Sequence, residues 1–151
     1  MLILAGGVGL VLVVRERNRP LTAERIQTAR ALWERNGPAD YRMDVRIGGG
    51  QEGEHHIEVR GGKVVSMETG GAPAPQHVWK FWSVEGMFTF LETELANSKR
   101  PQEAYGVPDA SDVVLRAAFD PRTGLPRRFF RSVAGKSLEI DWEVRHFEPL
   151  P

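Results

Sequence analysis

The stretch that most constrains this chain is Val113 to Phe130, VVLRAAFDPRTGLPRRFF. Val113, Leu115, Ala117 and Phe119 alternate with Val114, Arg116 and Ala118, the period of two that gives a strand one apolar face. Asp120-Pro121-Arg122-Thr123-Gly124 then supplies a turn. Pro121 presets φ, Asp120 is placed to bond back to the turn amides, and Gly124 accepts φ > 0. The chain returns as Pro126 to Val133, with proline tolerated at a strand's first position. A chain committed to this hairpin is committed to an antiparallel sheet, and the apolar face of that sheet needs a cover.

The 151 residues suffice for one domain with a real core plus an appendage. Hydrophobic and charged contents of 41% and 26% exclude bulk disorder. A formal net charge of zero provides no global field for nucleic acid, so no nucleic-acid partner is expected. The absence of cysteine excludes disulfides, a thiol nucleophile, thiolate-held metal and acylation of a lipoprotein cysteine.

Met1 to Val14, MLILAGGVGLVLVV, is an unbroken apolar run closed by Arg15-Glu16-Arg17-Asn18-Arg19-Pro20. As a helix, 14 residues reach about 21 Å, short of the ~30 Å hydrocarbon core. A signal-peptide core lacks a preceding basic region and a following small-x-small site. A buried element is poorly served by Gly6, Gly7 and Gly9 without a polar face. The expectation is a membrane anchor over 1–14, cut short by a start codon set too far downstream, followed by a juxtamembrane linker over 15–21. The arginine flank by itself argues for a cytoplasmic domain, and an upstream basic extension would reverse that orientation.

A single domain is expected over 22–149. Leu21 to Asn36 reads as a helix, with Thr22 as N-cap, Leu21 and Ile26 as a hydrophobic staple, and Ile26, Ala29 and Trp33 on one stripe. Tyr41, Met43, Val45 and Ile47 alternate with charges in a half-buried strand. Gly48 to Gly53 reads as a flexible connection. Glu54–Arg60 and Lys63–Thr69 are strands around Gly61-Gly62, a primed hairpin turn that sets Val59 opposite Val64. Gly70 to His77 reads as a long connection between two halves. Ser83 to Ala96 is a second helix, capped by Ser83, with Val84, Met87, Phe88, Leu91 and Leu95 as its stripe. Asn97 to Ala110 reads as a polar loop. After the opening hairpin, Leu138, Ile140, Trp142 and Val144 mark a last strand over Ser137–Phe147. The fold expected is therefore α+β: two consecutive α-β-β-β halves forming a curved antiparallel sheet of about six strands, two helices packed on one face, and an N-terminal hydrophobic anchor helix.

Several of these stretches together resemble a family of small, exported or membrane-tethered bacterial domains of unknown function, DUF6174. They are Tyr41 opening the first strand, Val59-Arg60-Gly61-Gly62-Lys63-Val64, Trp82 to Leu91, Phe119 to Pro126, and Val144-Arg145-His146-Phe147-Glu148-Pro149. The resemblance covers roughly Thr22 to Pro149 and rests on turn and core signatures. It implies an extracytoplasmic α+β domain at the periplasm or cell surface, and passes on no activity, ligand or catalytic residue. This chain departs from it in lacking a lipoprotein cysteine. The α-βββ halves also look like those of PepSY and β-lactamase-inhibitor-type domains, an analogy of architecture alone.

No catalytic, cofactor-binding or metal-ligating set is legible. His55 and His56 are strand neighbours pointing to opposite faces, which fits one half-buried and one exposed ring better than a shared metal. Ala134-Gly135-Lys136-Ser137 mimics the tail of a phosphate loop, but Phe130 stands where that motif needs glycine. Glu139, Asp141 and Glu143 read as cross-strand partners of Arg127 and Arg131. Trp79 and Phe81 do not fit one buried face, and an exposed aromatic cluster there would mark a partner site. The candidate binding residues are thus Trp79, Phe81, Arg122, Arg127 and Arg131. The function expected is a non-catalytic binding or interaction module of the cell envelope, held to the membrane by 1–14, with an envelope protein or small ligand as partner and no cofactor. Two alternatives stand beside it: a hydrolase or metal-dependent enzyme using His55 or His56 with sheet carboxylates, and a structural envelope scaffold.

Overall fold

The computed structural model describes residues 19–50 and 52–151. The anchor expected over 1–14 lies outside them, and among the described residues no helix is long and apolar enough to cross a membrane. Among the described residues twelve elements follow in chain order: α1 (Ala23–Asn36), β1 (Tyr41–Gly49), β2 (Gly53–Arg60), β3 (Lys63–Thr69), β4 (Ala72–Pro73), α2 (Gln76–Trp79), α3 (Val84–Ser98), α4 (Pro101–Tyr105), a 3₁₀ turn (Ala110–Asp112), β5 (Val113–Phe119), β6 (Pro126–Val133) and β7 (Ile140–Pro149).

All strands join one antiparallel sheet in the order β4-β3-β2-β1-β7-β6-β5. The sheet has seven strands rather than six, because Gly70-Gly71 turns the chain back so that Ala72 and Pro73 pair with Thr69 and Glu68. That stretch is a strand and a turn of helix, not a structureless connection. Gly48 and Gly49 likewise extend β1 rather than ending it. The polar loop expected after the second helix is instead α4 and the 3₁₀ turn, with Tyr105 buried and Gly106 in the left-handed region closing α4.

The two halves do not pair as equivalent repeats. The first strand of the first half, β1, lies beside the last strand of the second, β7, over nine residue pairs at the centre of the sheet. Their register slips between Asp44 and Val45, leaving Arg145 as an extra residue on β7. Val144 faces the core opposite Val45 before the bulge; after it Phe147 faces the core opposite Met43.

Both long helices cover the same face. Ile26, Ala29 and Trp33 of α1 and Val84, Met87, Phe88 and Leu91 of α3 share one core with Tyr41, Met43, Val45, Ile57, Val59, Phe129, Trp142 and Val144. The caps are those the sequence specifies: Thr22 Oγ1 accepts from the Arg25 amide, and Ser83 Oγ from the Gly86 amide. The Gly61-Gly62 turn sets Val59 opposite Val64 as its primed geometry requires. At the Asp120 turn, Oδ1 accepts from the amides of Arg122 and Thr123 at 2.9 and 3.0 Å. Gly124 there has φ 78°, and a Cβ on it would collide with the carbonyl oxygen of Ala29. The glycine therefore lets the β5–β6 turn lie directly on the backbone of α1.

Tyr41 joins the layers. Its ring packs edge-on to Trp33 at 5.6 Å and against Phe147 at 5.2 Å, and its hydroxyl accepts from the Val84 amide at 2.8 Å. One of the orphan amides at the start of α3 is thus satisfied from the sheet. Burial pushes the phenol up to about 12, against the pull of that amide. Tyr41→Phe is expected to cost about 1–3 kcal/mol, because it strands a buried N–H. A folded pKa above the unfolded value of ~10 leaves the contribution intact below that pH and removes it as pH climbs towards about 12. Urea titrations of the wild type and Tyr41→Phe between neutral and strongly alkaline pH would measure both effects, the gap narrowing as the phenol ionises.

Candidate functional site

An apolar pocket of about 280 Å³ opens where the start of α3 meets β7, lined by Val78, Phe81, Trp82, Met87, Phe90, Ile140 and Trp142. Its position follows from local sequence. Ser83 starts α3, which places Trp82 and Phe81 just outside the helix and Met87 and Phe90 on its inner side. Gly86 lets the first turn of α3 nest against the Lys80–Phe81 backbone, since a Cβ there would meet the Lys80 carbonyl. Alternation along β7 turns Ile140 and Trp142 towards α3.

The floor is a chain of ring contacts. Trp82 and Trp142 stand 6.3 Å apart edge-on, Trp142 and Phe129 are 5.9 Å apart, and Phe90 meets Phe129 edge-on at 5.1 Å. Behind Trp82 and outside the lining lies His55, its ring 4.9 Å from Trp82 and its Nδ1 2.7 Å from Thr69 Oγ1. Burial, with His56 as a lesser neighbour, lowers the pKa of His55 and favours a neutral ring. No lining side chain carries a nucleophile or a titratable base.

The five candidate residues are dispersed. Phe81 is 46% exposed, lines the pocket mouth and carries the Lys80 ammonium 5.1 Å over its ring. Trp79 is half-buried against the core, its indole N–H donating to the Ala74 carbonyl at 3.0 Å. Arg122 sits at the β5–β6 turn, where its carbonyl accepts from Asn36 Nδ2. Arg127 reaches the Asp120 carboxylate at 3.4 Å. Burial tends to raise that carboxyl, but the two turn amides and Arg127 more than offset it and hold the pKa below the usual range.

Arg131 points inward. Its guanidinium meets both oxygens of Glu94 at 2.8 and 2.9 Å, and the Tyr105 hydroxyl donates to the same carboxylate at 2.8 Å. Arg131 Nε also donates to the Leu138 carbonyl at 3.0 Å. Burial and the Glu94 bond push the Tyr105 phenol up to about 12. The pairing of Arg127 and Arg131 with the β7 carboxylates is therefore replaced by another scheme. With Phe129 opposite Trp142, Arg128 stands opposite Glu143 and Asp141 is taken by Arg46 of β1 at 2.9 Å. Glu94 had one sequence signal: it lies three residues after Leu91 and seven after Met87, on the apolar stripe of α3.

The histidines divide as alternation requires. His56 faces outward with Nδ1 2.7 Å from Asp44 Oδ1, and that hydrogen bond is the main cause of its raised pKa. The Ala134–Lys136 stretch is a hairpin turn, with Gly135 at φ 68° and the Lys136 amide on the Val133 carbonyl. A second, wider concavity of about 1070 Å³ lies between α1 and the Asp120 turn. Two of its cations are engaged in bonds of their own: Arg25 bonds the carbonyls of Pro20 and Ala117, and Arg127 bonds Asp120.

Because Arg131 and Glu94 are both largely buried, removing one leaves the other charged and unpaired. Arg131→Met is expected to lower unfolding free energy by about 3–5 kcal/mol, read as a shift in denaturation midpoint. Arg122→Ala, at an exposed turn, should stay within about 0.5 kcal/mol of the wild type.

Residues 25–131 match the family described as a family of unknown function (DUF6174). No curated protein and no solved structure shows a match to the chain. The match takes in α3 and β1 to β5 whole, together with most of α1 and of β6. The chain belongs to the DUF6174 family.

Proposed function

We propose that the domain is a non-catalytic binding module, whose site is the apolar pocket beside Phe81. The observation that carries this reading is the lining itself: seven apolar side chains, four of them aromatic, around about 280 Å³ at the surface. A volume of that size takes one aliphatic chain or ring rather than a whole large ligand. The half-exposed Phe81 at the mouth offers contact to whatever carries that group. A purely structural scaffold gives no reason for such a concavity, and pocket walls without an acid, base or nucleophile favour binding over hydrolysis.

We place the module at the cell envelope, tethered by residues 1–14 with the domain outside the cytoplasm. The apolar run and the DUF6174 resemblance support this placement, and the arginine flank opposes its orientation.

Trp82 and Trp142 report on the pocket directly. Octanol should shift their emission and indole NMR signals saturably, while Val78→Phe, which fills the pocket, should abolish the response with the fold intact by circular dichroism. An unchanged octanol response in folded Val78→Phe would overturn the assignment. A periplasm-reporting enzyme fused after Pro151 should be active outside the membrane in the chain carrying residues 1–20, and inactive once they are deleted.

A further inference from the structure

We propose that the solvent-facing side of the sheet holds a divalent transition-metal site formed by Asp44, Glu54 and His56, with His146 as a fourth ligand.

A carboxylate oxygen of Asp44, another of Glu54 and a ring nitrogen of His56 all lie within 4.8 Å of one another. Metal–ligand bonds of ~2.0–2.2 Å hold neighbouring ligand atoms about 3–3.5 Å apart, so small side-chain rotations bring the three donors onto one ion. One imidazole with carboxylates suits zinc, copper(II) or nickel; calcium and magnesium prefer all-oxygen sets.

The sheet register adds a second line of evidence. His56 on β2 stands opposite Asp44 on β1, and Asp44 stands opposite His146 on β7, giving a His–Asp–His row across three adjacent strands. His146 joins this row only through the bulge at Arg145. Unbroken alternation from Trp142 and Val144 would turn position 146 into the core and Phe147 out. The extra residue reverses both, placing Phe147 against Tyr41 and His146 on the outer face beside Asp44. Glu68, opposite His56 on β3, extends the row with further negative charge. Arg46, opposite Glu54, is held by Asp141. All four ligands stand on strands rather than loops, which limits the reorganisation that binding requires.

Such an ion would staple the halves of the domain together, because β7 belongs to one and β1 and β2 to the other. Binding to the folded chain alone raises thermal stability in proportion to occupancy. The site is independent of the apolar pocket and lies on the opposite face of the sheet.

Titration of the full chain with zinc or copper(II) alone, by calorimetry with matched thermal melts, tests the proposal. One equivalent should bind, with a Kd on the order of 10 μM, and should raise the melting temperature. Copper(II) should show imidazole nitrogen couplings in its electron paramagnetic resonance spectrum. His56→Ala should weaken binding about 10-fold or more, and Asp44→Asn, Glu54→Gln and His146→Ala several-fold each, while His55→Ala on the inner face should leave it unchanged. No binding at about 1 mM metal would overturn the site, as would unchanged affinity in His56→Ala. Unchanged affinity in His146→Ala would overturn the four-ligand form.

Discussion

The hydrogen bond from the Val84 amide to the Tyr41 hydroxyl is the point on which the layered arrangement turns. Tyr41 begins the central strand β1, so the donor at the head of α3 is fixed against the middle of the sheet rather than its edge. The same ring contacts Trp33 of α1 and Phe147 of β7. One side chain therefore sets the distance between both helices and the seam where the two halves meet. The apolar pocket inherits that setting, since Phe81 and Trp82 lie immediately before Val84.

Charge is sorted between the two faces of the sheet. Outside, partners stand in short ladders: Arg42 with Glu58, Arg60 with Glu58 and Asp40, Arg46 with Asp141, and His56 with Asp44. Most are solvated and each contributes little to stability. Inside, Glu94 and Arg131 form a nearly enclosed pair roofed by Tyr105, in which both carboxylate oxygens of Glu94 are engaged. The inner pair fixes where α3 and α4 sit over β6.

Local chemistry was readable where a residue acts on its own neighbours. Thr22 and Ser83 cap their helices, Gly61-Gly62 sets Val59 against Val64, and Asp120 closes its turn. The division of His55 and His56 between faces follows from alternation alone. What escaped sequence reasoning depends on partners far along the chain. The two-residue β4 has no periodicity to betray it, and Tyr105 is a lone aromatic in a polar stretch. The bulge at Arg145 turns Phe147 rather than His146 towards the core, because the partner register, not the strand's own pattern, selects the residue left out. Of the residues singled out as a binding surface, Phe81 reached the pocket; Arg131 became an internal clamp because β6 alternation and α3 together turned it inward.

Sequence alone carries the two long helices, the three hairpin turns and the apolar face of the longer strands as far as the β7 bulge, since these are set by contacts within a few residues. The tertiary structure alone decided that β7 lies beside β1, that Trp142 meets Trp82 across a pocket, and that His56, Asp44 and His146 share a row. Strand order and cross-strand register arise from packing between segments up to a hundred residues apart, and no local pattern encodes which surface a given apolar face will meet.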